Sequence, residues 1–241
     1  MSALVDHQER GFLGPAGAMI NKRNSGMGEI NQLSDIDLAA LVSSKICHDA
    51  IGPMTAVGFG LDVLEEDEDD EEQRDGALSM IRNGVGAITA KVQFARLAFG
   101  AAGSSGLEID LKEAESVACK YVESDKKHQV DWQCSLATLP KNHVKLLLNL
   151  VAISMGTVPR GGKIAINISD VAGQPQFTIR TSGPKARIPD GVLDLISGTP
   201  QEDVDARSIQ PYFTGRVAQA TSADISITME GEDVILAVSF S

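Results

Sequence analysis

Lys45 to Pro53 reads KICHDAIGP, which places a histidine, an acidic residue and a proline in one short stretch. Imidazole is the side chain that can act as a neutral nucleophile near pH 7. Asp49 follows His48 directly, and a carboxylate that orients one ring nitrogen leaves the other free. Lys45 lies three residues before His48, hence one turn away on the same helical face. A cation there offsets the charge of a phosphoryl group carried on the ring. Pro53 has no N–H, so the carbonyl of Asp49 loses its helical donor and the helix bends just beyond His48. Together these groups suit in-line phosphoryl transfer, a reaction that depends mainly on positioning and charge stabilisation. Cys47 does not pair with His48, because consecutive helical positions point about 100° apart. It is expected to pack beside the core stripe. His7, His128 and His143 are scattered without metal-protease spacing and read as surface or loop residues.

The elements that must carry this stretch follow from periodicity. Ser34 can cap a helix, with Asp37 three residues on. From there Leu38, Leu41, Val42, Ile46, Ala50, Met54, Val57, Leu61 and Leu64 recur at helical steps. His48 lies about 160° from both Ile46 and Ala50, so its ring should face solvent. The acidic run EEDEDDEE, Glu65 to Glu72, reads as a turn whose charges favour the start of the next helix. A second helix carries a seam of Leu78, Ile81, Val85, Ile88, Val92, Ala95 and Phe99. Two helices of about 40 Å joined by a short turn pack antiparallel. One hairpin buries too little surface, so pairing of two copies into a four-helix bundle is expected. Arg96 and Gln93 fall toward the His48 half of this hairpin. Each reads as a partner contact or as an ordinary surface residue, and for Arg96 that means a salt bridge.

GAAGSSG, Gly100 to Gly106, is a linker composition. The expected organisation is a flexible leader over 1–33, a helical hairpin over 34–101 and an α/β domain over 107–241. In that last domain helices near 110–127, 143–155, 192–196 and 208–220 alternate with strands, two of them in a terminal hairpin. The order predicts an α+β chain with a mainly antiparallel sheet and helices on one face, a two-layer sandwich. Trp132 reads as core on one of these strands.

Composition narrows the function. The formal net charge of −12 argues against nucleic acid and against anionic lipid. Three cysteines without a C-x-x-C pair argue against a disulfide or zinc scaffold and fit a cytoplasmic protein. No apolar run reaches membrane-spanning length. The turn PRGGK is not a phosphate-binding loop.

His48-Asp49-x-x-x-Pro53 resembles the phosphoacceptor box of two-component histidine kinases. Asn149-Leu150, Pro159 to Ile164 and Thr178 to Pro184 resemble parts of the kinase ATP-binding domain. The departures are specific. Ile153 stands where a kinase has the asparagine that binds Mg²⁺, and Thr181 where it has the aspartate that recognises adenine. Arg207-Ser208-Ile209-Gln210 replaces a glycine-rich segment, and Gly52 replaces a polar residue four positions after the histidine. A kinase-like dimer with a degenerate ATP-binding domain resembles the ChpT family of bacterial histidine phosphotransferases, over roughly Asp35 to the C-terminus. Ile46 to Asp49, Gly60-Leu61-Asp62, Gln93-Phe94, Ala98-Phe99-Gly100 and Gly161-Gly162 also carry the likeness.

That resemblance implies several expectations. His48 is the phosphorylated residue, the donor is the receiver domain of a hybrid histidine kinase, and the acceptors are response-regulator receiver domains. No cofactor is implied in this chain, and Mg²⁺ is expected in the partner receiver. The acidic surface would suit basic patches on those receivers. An active histidine kinase and a non-enzymatic receiver-binding regulator remain the alternatives at this point.

Overall fold

A computed structural model describes residues 33–66, 70–100 and 108–241. The leader expected over 1–33, His7 included, falls outside these apart from Leu33, as do residues 67–69 of the acidic turn and most of the linker.

Two long helices come first, α1 (Asp35–Glu66) and α2 (Glu71–Ala98). Ser34 caps α1 as expected: its Oγ accepts from the Asp37 N–H at 3.2 Å and donates to the Asp37 carboxylate at 2.6 Å. The acidic run supplies the cap of α2, where Asp70 accepts from the N–H groups of Glu72 and Gln73. Hydrogen bonds from the Gln73 side chain and backbone hold the Asp70 carboxyl below its ordinary range.

The seam between the helices differs from the expected heptads. A Cβ at Gly84 would lie 2.5 Å from Val57 Cγ2 and 2.9 Å from the Pro53 carbonyl. One at Gly60 would lie 2.8 Å from Ile81 Cγ1 and 3.0 Å from the Ala77 carbonyl. The helices therefore meet through their smallest residues, and the contact line rotates toward Ala77, Ile81 and Gly84. Val85 and Val92, expected in the seam, are instead half exposed. Met54 and Leu61 of the α1 stripe turn outward too, alongside Ile51 and Phe59. Gly84→Val is expected to cost about 1–3 kcal/mol through overpacking, despite valine's better helix propensity. Urea unfolding measures this; an unchanged midpoint would refute the close approach.

The chain continues through β1 (Glu108–Asp110), α3 (Leu111–Glu123), β2 (His128–Cys134), β3 (Thr138–Pro140), α4 (Lys141–Thr157), β4 (Gly162–Val171) and β5 (Gln174–Ser182). It ends with α5 (Val192–Ser197), α6 (Ile209–Ala220), β6 (Ala223–Glu230) and β7 (Asp233–Phe240). Five strands form one sheet in the order β2-β4-β5-β7-β6; β2 and β4 are parallel and the other pairs antiparallel. Burial alternates along β4 and β5, so one sheet face carries Ile164, Ile166, Ile168, Phe177 and Ile179 into the core. The apolar helix α4 covers that face with Leu146, Leu147, Leu150 and Val151. This is the α+β, two-layer arrangement read from the sequence. The short pair β1–β3 was not foreseen, since three residues show no period. Trp132 packs partly buried against the core.

His128 corrects its expected surface position. Its side chain is buried, with Nδ1 2.7 Å from Asp125 Oδ2 and Nε2 3.0 Å from the Val158 carbonyl. The ring ties the start of β2 to the end of α4.

The last turn of α2 enters the core of the α/β layer through Phe94, Leu97 and Ala98. Phe94 stacks on Tyr121 of α3, with ring centroids 3.8 Å apart at 14°. The amide of Asn149 in α4 donates to the Ala98 carbonyl at 2.9 Å. The Leu33 N–H donates to the Tyr212 hydroxyl at 3.1 Å, which fixes the start of α1 against α6. These contacts position the hairpin, and with it His48, on the α/β layer.

Candidate active site

His48 stands on the middle of α1 with its side chain 67% exposed, as its angular distance from the apolar stripe requires. Cys47 is exposed too, contrary to the packing role expected of it. The glycine-mediated seam narrows the face of α1 that touches α2, so residues beside the stripe are left outside.

Asp49 is the hub of the site. Its Oδ2 accepts from Lys45 Nζ at 2.8 Å, and its Oδ1 lies 3.5 Å from His48 Nδ1. The second distance exceeds hydrogen-bond length, so it is an electrostatic contact that favours a proton on Nδ1 without locking the ring. Nε2, on the far side of the ring, then keeps its lone pair. Lys45, expected beside His48, is engaged with the Asp49 carboxylate and is largely covered, its side chain 15% exposed.

Pro53 does what its chemistry predicts. Without its N–H, the carbonyl of Asp49 has no helical donor. Lys91 of α2 takes that place, its Nζ donating to the Asp49 carbonyl at 2.8 Å. Two lysines thus hold Asp49 from opposite ends, one at the carboxylate and one at the backbone. Sequence reasoning missed Lys91. A signal did exist: an orphaned carbonyl in a packed hairpin needs a donor, and only a long side chain on the opposing helix reaches it.

Tyr121 and Gln210 bring α3 and α6 to the same cleft, with Lys45, Asp49 and Lys91. Burial, and then the negative charge of Asp49, push the Tyr121 hydroxyl well above its ordinary range. Gly52 lies one turn beyond His48 with open space around its Cα, so the surface there carries no side chain. Gln93 is exposed on α2 two residues beyond Lys91. Arg96 bridges to Glu113 of α3 at 3.2 Å and borders a groove with Asp35, Leu38 and Val42, toward the start of α1. It is a salt-bridge residue here and is not drawn to the His48 ring.

The family profile of the histidine phosphotransferase C-terminal domain matches residues 111–233, more than half of the chain. The curated protein phosphotransferase ChpT of Brucella abortus (strain 2308) is 42% identical over 204 residues, covering 84% of this chain and 95% of that protein. The chain belongs to the ChpT family of histidine phosphotransferases. A solved structure described as a bacterial phosphotransferase is 40% identical, with a TM-score of 0.77, over 86% of this chain and 97% of that one. The domain profile begins at α3, whereas the match to the ChpT relative is long enough to include helical-hairpin residues as well. As a ChpT-type protein, the chain is a histidine phosphotransferase. Among the described residues, no helix is long and apolar enough to cross a membrane.

Proposed function

We propose that His48 is the phosphoacceptor of this ChpT-type protein, and that it relays a phosphoryl group between receiver domains in the cytoplasm. The donor is the receiver of a hybrid histidine kinase and the acceptors are receivers of response regulators. The observation that carries this reading is the exposed ring, with Nδ1 facing Asp49 and Nε2 on the opposite side.

In the transfer, the Nε2 lone pair attacks the phosphorus of the donor's acyl phosphate. The N–P bond forms, the P–O bond to the donor breaks, and the donor recovers its carboxylate. The proton stays on Nδ1, so the phosphorylated ring is cationic and Asp49 balances its charge across 3.5 Å. The reverse sequence on a second receiver returns the ring to neutral. Lys45 keeps the Asp49 carboxylate in place for both steps. Mg²⁺ belongs to the receiver, where it offsets the acyl-phosphate charge.

The α/β domain in this reading serves docking and support, without binding ATP. Ile153 offers no metal ligand and is buried. Thr181 is buried, and its hydroxyl is spent on Thr157 at 2.7 Å and on the Val234 carbonyl at 3.3 Å. The apolar surface of Ile51, Met54, Phe59, Leu61, Val85 and Val92 supports a homodimer in which two hairpins form a four-helix bundle.

The test supplies either a labelled phosphorylated receiver with Mg²⁺ or labelled ATP with Mg²⁺. Label is expected to pass from the receiver and not from ATP. Self-labelling from ATP would make the chain a kinase. No uptake from any receiver would leave a receiver-binding regulator.

A further inference from the structure

We propose that Lys91 is a positioning residue for phosphoryl transfer, replacing from the neighbouring helix the hydrogen bond that Pro53 removes from Asp49. The inference rests on His48 being the acceptor. Pro53 breaks the helical ladder four residues after Asp49, at the point where the acidic residue must be held toward the ring. A half-buried carbonyl without a donor is unstable, and the backbone around it would shift to find one. Lys91 Nζ, at 2.8 Å, ends that search. Its reach across the hairpin fixes the Asp49 backbone, while Lys45 fixes the Asp49 carboxylate from within α1. The His48–Asp49 contact of 3.5 Å has no direct hydrogen bond to enforce it and depends on this backbone. Asp49 is therefore held at both its carbonyl and its carboxylate while the His48 ring stays exposed.

Pro53→Ala supplies the decisive background, because an alanine N–H restores the helical donor to the Asp49 carbonyl. The readout is uptake of label from a phosphorylated receiver, as maximal rate and half-saturating receiver concentration. In the native background, Lys91→Met is expected to lower the maximal rate about tenfold, the value of one charge-assisted hydrogen bond. The half-saturating concentration should hold, and Lys91→Arg should keep most of the rate. In the Pro53→Ala background, Lys91→Met is expected to change the rate less than about twofold.

Equal losses in both backgrounds would overturn the proposal, since lysine would then act by charge or packing. No loss in the native background would overturn it as well. Should Lys91→Met alone fail to fold, the Pro53→Ala/Lys91→Met double variant decides. A folded, active double variant supports the proposal, and an unfolded one overturns it. Label that survives His48→Ala in either background would sink the acceptor assignment and this role together, whereas equal losses sink the role of Lys91 alone.

Discussion

Replacing His48 by alanine is expected to abolish phosphoryl uptake while leaving the fold intact. The ring is mostly outside the packed hairpin, so its loss should change stability by less than about 0.5 kcal/mol. Uptake has no substitute nearby. Cys47 is exposed next door, but consecutive helical positions point about 100° apart, so its thiol is turned away from the place the ring occupies. Lys45 is held on Asp49 and, as an ammonium, carries no lone pair. Label transfer and thermal melting on the same preparation separate the two effects. Residual uptake near the native rate, with an unchanged melt, would show that another residue carries the phosphoryl group.

The second large effect concerns the joint between the hairpin and the α/β layer. Asn149→Leu is expected to destabilise the protein by about 2–4 kcal/mol. Asn149 is fully buried. Its amide donates to the Ala98 carbonyl at 2.9 Å and to the Lys145 carbonyl at 2.8 Å, while its Oδ1 accepts from Gln210 Nε2 at 3.4 Å. Ala98 is the last residue of α2, so its carbonyl lies beyond the reach of intrahelical donors. Leucine is close to asparagine in reach but offers neither donor nor acceptor. It would leave that carbonyl and the Gln210 amide buried and unpaired. For a chain of this size the melting temperature should fall by roughly 5–12 °C. A fall under about 2 °C would mean that the joint relaxes at little cost. Asn149, part of the stretch that resembles the kinase ATP-binding domain, thus serves to seat a helix end.

Most of the frame was legible because its signals are local. The Ser34 cap, the two amphipathic helices and the alternating strands of the main sheet all follow from spacing along the chain. His48's exposure followed from the same arithmetic. What was missed depends on contacts across the chain. Gly60 and Gly84 look like weak points in helices, yet they set how closely the helices approach and so which apolar residues turn outward. His128 reads as a loop residue until Asp125 and Val158 close around it. Lys91 is one lysine among many until the carbonyl freed by Pro53 is found beside it. At the site, sequence predicted the groups on α1 and the missing donor, but not the residue that replaces it.

The most direct measurement maps the modification itself. The native chain is exposed to a phosphorylated receiver, digested without acid, and its peptides sequenced by mass spectrometry, with phosphorus NMR on the intact protein. One acid-labile N–P linkage per chain is expected, on Nε2 of His48. Phosphate found on a carboxylate, a hydroxyl or any other histidine would contradict it.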